Sequence, residues 1–159
     1  MLFAGGPFLL GLATVHVPLA DVPAAVTSLL LRRRLARLRQ ACLRLSPPDA
    51  AAPTTRLTVL GLNPHAGENG LFGNREEEAI ITPALDAARA RGIDITGPVP
   101  PDTAFIPAVR EKTDAYICMT HDQGHIPLKA LAFDIAWQGK ASPSSLQAAA
   151  HLAAKLARA

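Results

Sequence analysis

Cysteine is scarce in this chain. Cys42 and Cys118 are the only two in 159 residues, they fall in unrelated local settings, and no CxxC spacing is present. A framework of bridges stapling a small fold is thereby excluded, and both residues read as reduced core thiols. Aromatic residues are scarce too, at 4%, so the core must be aliphatic, built from Leu, Ile, Val and Ala, as suits an α/β protein. Charge is low, at 18% against 49% hydrophobic, which excludes a solvating, disordered chain. The first twenty residues hold no Asp, Glu, Lys or Arg, a pattern that raises a signal peptide or a membrane span. Both fail on detail: there is no positive n-region, and Pro7, His16, Pro18 and three glycines make a poor lipid-facing helix.

What is present fits one domain with a real core. The net charge of +3 and pI near 9.2 come largely from six of the twelve arginines, packed between Arg32 and Arg44. Leu31, Leu35, Leu38, Cys42 and Leu45 recur among them at intervals of four, three, four and three. That is an amphipathic helix capped by Thr27, with the arginines on its solvated face. A nucleic-acid or anionic-membrane patch is the competing reading, but no aromatics interleave to stack bases, so neither nucleic acid nor membrane is the expected partner. Pro7 to Val17 reads as a loop entering a strand that ends at His16. Residues 46–55, with Pro47 and Pro48, form an exposed connection. A helix runs from Arg75 to Arg91, weakened at Pro83 and stopped at Gly92. Ile93 to Val99 and Ala115 to Met119 are strands, and Ser142-Pro143 opens a closing helix over Leu146 to Ala157. This βαβ rhythm predicts a parallel sheet covered by helices.

The stretch from Thr58 to Glu78 organises the rest. Thr58 to Leu62 is an apolar interior strand. Gly67, Gly70 and Gly73 then loosen a loop carrying His65, and Asn74 with Glu77 has capping-box spacing. Ligands of open α/β sheets bind beyond the carboxyl ends of strands, where His65 sits; a histidine that merely hydrogen-bonds its own loop is the bland alternative. His16 and His121 also follow expected strands, so a parallel sheet brings all three within range although 49 and 56 residues separate them. Three neutral imidazoles suit Zn²⁺, Co²⁺ or Ni²⁺.

Asn63-Pro64-His65-Ala66-Gly67-Glu68, with Phe72-Gly73 and Glu76, resembles the signature of the 4-hydroxythreonine-4-phosphate dehydrogenase family of vitamin B6 biosynthesis. Thr14 to Leu19 with Asp21 to Ala25, Gly97-Pro98 through Asp102-Thr103, and His121-Asp122-Gln123-Gly124 resemble three further motifs in the same order. The resemblance implies a partial αβα sandwich of the isocitrate/isopropylmalate dehydrogenase type, with a parallel-rich sheet and flanking helices. It implies NAD-linked oxidation of 4-phosphohydroxy-L-threonine or a similar phosphorylated hydroxy acid, followed by decarboxylation, in pyridoxal phosphate biosynthesis. It further implies a divalent metal (Zn, Co or Mg) bound at the positions of His16, His65 and His121. Lys129 matches a substrate-binding lysine, with an ordinary surface lysine as the alternative. Asp102 and Asp122 are candidates for proton transfer or for orienting a metal-bound histidine, and equally for turn formation. The resemblance implies a cytoplasmic homodimer with a shared active site whose ligands come from both subunits, so that one chain can show His16 near His65 with His121 turned toward the partner. His125 replaces an expected apolar residue and reads as exposed.

The departures matter as much. Family chains are about twice as long, so residues 1–159 read as a single partial domain, the C-terminal part of such a chain. After Asp134 the expected segment with substrate-binding Asn and Arg and an Asp-His-Gly-Thr loop is absent, leaving the cofactor-binding residues unassigned. A catalytically inactive metal-binding or dimerisation module is therefore the second reading, and an anion-binding adaptor using the arginine helix the third.

Overall fold

A computed structural model describes residues 1–3, 8–45, 55–132, 147, 150, 153 and 154. Strand β1 is Leu2–Phe3 and β2 is Leu9–Leu12; a short helix α1, Val22–Ala25, precedes the long α2, Ser28–Leu45. Strand β3 is Leu57–Leu60. After a turn and one π-helical turn, Glu77–Ile81, come α3, Thr82–Arg89, and β4, Ile95–Val99. A one-turn α4, Pro107–Arg110, then leads to β5, Ala115–Cys118, and to α5, His121–Ala132. Among the described residues the strands form one sheet in the order β1-β2-β5-β3-β4. Only β1 is antiparallel to its neighbour; β2, β5, β3 and β4 all run the same way. The expected α/β architecture, a mostly parallel sheet with flanking helices, is present.

Both central strands are apolar and wholly buried, Leu-Thr-Val-Leu in β3 and Ala-Tyr-Ile-Cys in β5, as strands covered on both faces require. Their side chains alternate between two cores. Leu57, Val59, Ala115 and Ile117 pack with Leu31, Leu35 and Leu38 of α2 and with Ala84, Leu85 and Ala88 of α3. Leu10, Leu12, Leu60, Tyr116 and Cys118 pack on the other face with Phe8 and with Leu128 of α5. The period-two alternation thus sends every second residue of one strand to a different layer.

Local signals account for most elements. The Leu30 amide donates to Thr27 Oγ1 at 3.2 Å, the expected cap, and α2 buries Leu31, Leu35, Leu38 and Cys42 along one stripe. Both thiols are buried; burial raises Cys42 to about 11, helped by Asp114, and raises Cys118 further still, so neither is a nucleophile.

Three expectations are corrected. The strand before His16 ends at Leu12, because the chain from Ala13 onward turns to bond the end of β5. The single helix from Arg75 to Arg91 is a π-turn followed by α3, with Pro83 in the first turn of α3, where a missing N–H costs nothing. And residues 121–132, given no element from the sequence, form α5 although they contain Gly124 and Pro127. Gly124 is there because α5 lies against β2 so closely that a Cβ would stand 2.8 Å from Leu10 Cδ2 and 2.9 Å from Leu12 Cδ2. Of the expected closing helix, Gln147, Ala150, Ala153 and Ala154 are described and helical, while its remaining residues, Ser142-Pro143, the proline-rich connection from 46 to 54, and the break after Asp134 lie outside the described residues.

Asp114 joins the start of β3 to the start of β5. Its Oδ2 accepts the Arg56 amide at 2.7 Å and its Oδ1 accepts Arg56 Nη2 at 2.7 Å. Partial burial works against its ionised form, but the side-chain bond, the backbone bond and the charge of Arg56 outweigh it and hold the carboxyl below its ordinary value. A depressed carboxyl stabilises the fold above its unfolded pKa, and that contribution disappears as pH falls through the lower folded value. The contribution of Asp114 should therefore be constant down to about pH 4 and be lost below it. Asp114→Asn should reduce the slope of urea-measured stability against pH in that acid window; an unchanged slope contradicts the account.

Candidate active site

Because β2, β5 and β3 are adjacent and parallel, the turns that follow them emerge side by side at one sheet edge. Those three turns carry His16, His121 and His65. The turn after β2 is tied to the end of β5: the Ala13 amide donates to the Cys118 carbonyl at 2.8 Å, and Thr14 Oγ1 donates to the Met119 carbonyl at 2.6 Å. This tie brings the His16 and His121 rings to a centroid separation of 5.7 Å. The pair differs from the expected one, His16 with His65. Strand β5 is inserted between β2 and β3, so His121 becomes the neighbour of His16, and it faces His16 rather than only outward.

The turn after β3 is left-handed. His65, Ala66, Gly67, Glu68 and Asn69 all have φ between 41° and 82°, and for the four that are not glycine this costs about 1–2 kcal/mol each. Such strain persists only where the surroundings over-determine it, and it gathers at functional sites. Here the surroundings are Glu77 and Glu76, both buried. Glu77 Oε1 accepts the amides of Leu62 and Asn63 at 2.8 and 2.7 Å, and its Oε2 accepts Asn63 Nδ2 at 2.9 Å. Gly67 abuts the same carboxylate, where a Cβ would stand 2.7 Å from Oε2. Glu76 Oε2 accepts Asn63 Nδ2 at 2.9 Å and the Asn74 amide at 2.8 Å. Burial opposes its ionisation, yet the amides of Glu76 and Asn74 and the side chains of Asn63 and Asn74 together hold it below the usual range. The expected capping box is thus replaced: Glu77 reaches back across the turn to Leu62 and Asn63, not to Asn74.

Gln123 was quoted only as part of a motif, and its work is visible only in three dimensions. Its Oε1 accepts the Met119 amide at 2.9 Å, while its Nε2 donates to the carbonyls of Gly61 and Leu62 at 3.1 and 3.3 Å. One side chain therefore locks the His121 turn to the His65 turn. No spacing rule reveals this, since the partners are about sixty residues apart.

Two of the histidines carry a carboxylate on Nδ1. Asp122 Oδ1 lies 2.8 Å from His121 Nδ1, and Glu68 Oε2 lies 2.9 Å from His65 Nδ1. A proton held at Nδ1 leaves the Nε2 lone pair free for a ligand, the arrangement that orients metal-binding imidazoles. Among the described residues, however, no three His, Cys, Asp or Glu side chains are grouped closely enough to hold an ion; His65 contacts Phe72, at 5.7 Å between rings. The donor chemistry fits a divalent metal, while a single chain supplies it as one pair and one separate histidine. Asp102 is exposed in the turn after β4 and makes no hydrogen bond or ion pair among the described residues. Lys129 is exposed on α5, two turns beyond His121.

His125, expected to be exposed, is buried at 8% exposure. Its ring stacks on His121 at 4.0 Å and meets Phe3 edge-on at 4.4 Å. Its Nδ1 donates to the His121 carbonyl at 3.0 Å. Burial lowers its pKa, the carbonyl bond opposes that, and His121 and Lys129 add to the lowering, so it is a neutral packing partner.

A family model, Pyridoxal phosphate biosynthetic protein PdxA, matches residues 1–134, most of the chain and all three turns. The chain belongs to this family. Among curated PdxA-type relatives, the 4-hydroxythreonine-4-phosphate dehydrogenase of Desulforapulum autotrophicum is 40% identical over 97% of this chain and 51% of its own. The D-threonate 4-phosphate dehydrogenase of Salmonella typhimurium is 47% identical over 64% of this chain and 38% of its own. The crystal structure of the 4-hydroxythreonine-4-phosphate dehydrogenase of Klebsiella pneumoniae superimposes with a TM-score of 0.76 at 33% identity, over 96% of this chain and 53% of that one. The chain spans about half the length of the PdxA relatives it matches over nearly all of itself. The family match ends at residue 134, where the sequence pattern breaks.

The carboxylate of Glu77 makes a direct prediction. Glu77→Gln keeps the shape but sets an amide against the donors of Asn63, and should cost about 1.5–3 kcal/mol in urea unfolding. A cost below about 0.5 kcal/mol would show that the turn stands without this anchor.

Proposed function

We propose that this chain carries the metal-binding half of an NAD-linked dehydrogenase site, acting on 4-phosphohydroxy-L-threonine or a similar phosphorylated hydroxy acid. The observation that supports this reading most is the juxtaposition of His16 and His121 at the carboxyl edge of the sheet, with Asp122 on the Nδ1 of His121. His16, His65 and His121 would hold the divalent ion (Zn, Co or Mg). A bound metal supplies Lewis-acid stabilisation of developing negative charge on the substrate oxygen.

The chain's own residues do the positioning. Asp122 and Glu68 fix Nδ1–H on His121 and His65, aiming each Nε2 at the ligand. Gln123 keeps the two turns in register. Lys129 supplies a positive charge for the phosphate or carboxylate of the substrate, and Asp102 is the exposed carboxylate available for proton transfer. The separation of His65 from the other pair suits a homodimer in which a second copy completes the site. In that assembly the sheet is one portion of an αβα sandwich of the isocitrate/isopropylmalate dehydrogenase type, and residues 1–159 act as a single partial domain. The compartment is the cytoplasm; no described helix is long and apolar enough to cross a membrane.

An inactive metal-binding or dimerisation module is the competing reading, and NAD⁺ separates the two. His65→Ala should lower zinc stoichiometry by plasma emission spectroscopy while His151→Ala leaves it unchanged; equal stoichiometry removes the metal site. Calorimetry of the zinc-loaded chain should show saturable NAD⁺ binding, and its absence leaves the inactive module.

A further inference from the structure

We infer that the groove between α2 and α3 is a binding site for a small phosphate anion, apart from the histidine turns and independent of the function proposed for them. Arg32 and Arg39 stand on its α2 wall and Arg91 on the wall formed by the turn after α3. Arg32 and Arg39 are seven residues apart, two helical turns, so they share a face about 10 Å apart along the axis. Leu35, Ala88 and Ile93 lie between the walls, and no acidic side chain lines the groove.

The three guanidiniums are uncommitted: none makes a hydrogen bond or ion pair among the described residues. Arg33, Arg37 and Arg44 of the same helix are equally without a partner among the described residues, so it is the shared groove, not the lack of partners alone, that sets Arg32, Arg39 and Arg91 apart. Three unpaired like charges around one groove repel each other, and an anion of two or more charges relieves that repulsion while accepting forked hydrogen bonds. The apolar floor keeps water from one side and strengthens the attraction.

Size selects the ligand. The cavity volume is about 160 Å³, below the roughly 300–1,000 Å³ of ordinary ligand pockets and near that of a void that takes one benzene ring. A phosphate ion or the head of a small monoester fits; a nucleotide does not. No aromatic side chain lines the groove to stack a base, so a nucleic-acid strand is disfavoured.

Calorimetry of the full 159-residue chain with inorganic phosphate and, separately, O-phospho-L-threonine at low ionic strength tests this. One saturable equivalent at the groove is expected, weakened about three- to tenfold by each of Arg32→Gln, Arg39→Gln and Arg91→Gln, and unchanged in Lys112→Ala, at an exposed position away from the groove. Equal affinity for the two probes identifies the free ion as sufficient, and tighter phosphothreonine binding identifies a monoester; either supports the site. In the unaltered chain, amide shifts on adding phosphate should gather at residues 32–39 and 87–93, which keeps the test valid if a variant misfolds. No saturable binding, shifts gathered elsewhere, binding lost in Lys112→Ala, or an arginine-dependent RNA complex that phosphate does not displace overturns it.

Discussion

The Glu77 carboxylate is the constraint on which the site rests. A run of five residues with positive φ is unfavourable for L-amino acids, and the chain enters it through Leu62 and Asn63, whose amides both end on one buried oxygen of Glu77. The other oxygen holds the Asn63 side chain and leaves room only for glycine at position 67. The π-helical turn at Glu77–Ile81 belongs to the same arrangement, since it carries Glu77 at its start and ends where Pro83 can enter α3 without losing a hydrogen bond. One side chain therefore links helix, turn and strand, and presents His65 at the sheet edge with Glu68 at its Nδ1.

The second determinant is strand order. Parallel strands put their following turns at a common edge, but which turns become neighbours depends on the order across the sheet. With β5 between β2 and β3, His121 occupies the middle position and Gln123 reaches the β3 turn while the β2 turn bonds to Met119. This is how residues distant in sequence come to one edge of the sheet.

Much of the fold was legible because its signals are local. The apolar runs of β3 and β5, the Thr27 cap and the four-three stripe of α2 each depend on neighbours within a few residues. The family, too, was legible from four ordered motifs. What was not legible depends on long-range contact. Gly124 and Pro127 argue against a helix until the close approach of α5 to β2 is seen, and His125 reads as exposed until its stacking on His121 and Phe3 is known. Which two of the three histidines become neighbours in one chain was not legible either, because periodicity carries no information on strand order. The roles of Glu77 and Gln123 were hidden for the same reason, although a glutamate pair following a glycine-rich turn was present as a signal.

The central claim is that His16 and His121 belong to one ligand site, with the proton of His121 held on Nδ1 by Asp122. Long-range ¹H–¹⁵N spectra of the histidine rings, recorded before and during a zinc titration, test it most directly. The account predicts the Nδ1–H form for His121 and for His65 in the metal-free chain, and ring-nitrogen shifts of His16 and His121 that saturate together at the same zinc ratio. A His121 ring protonated on Nε2, or His16 and His121 responding to zinc independently of each other, would contradict it.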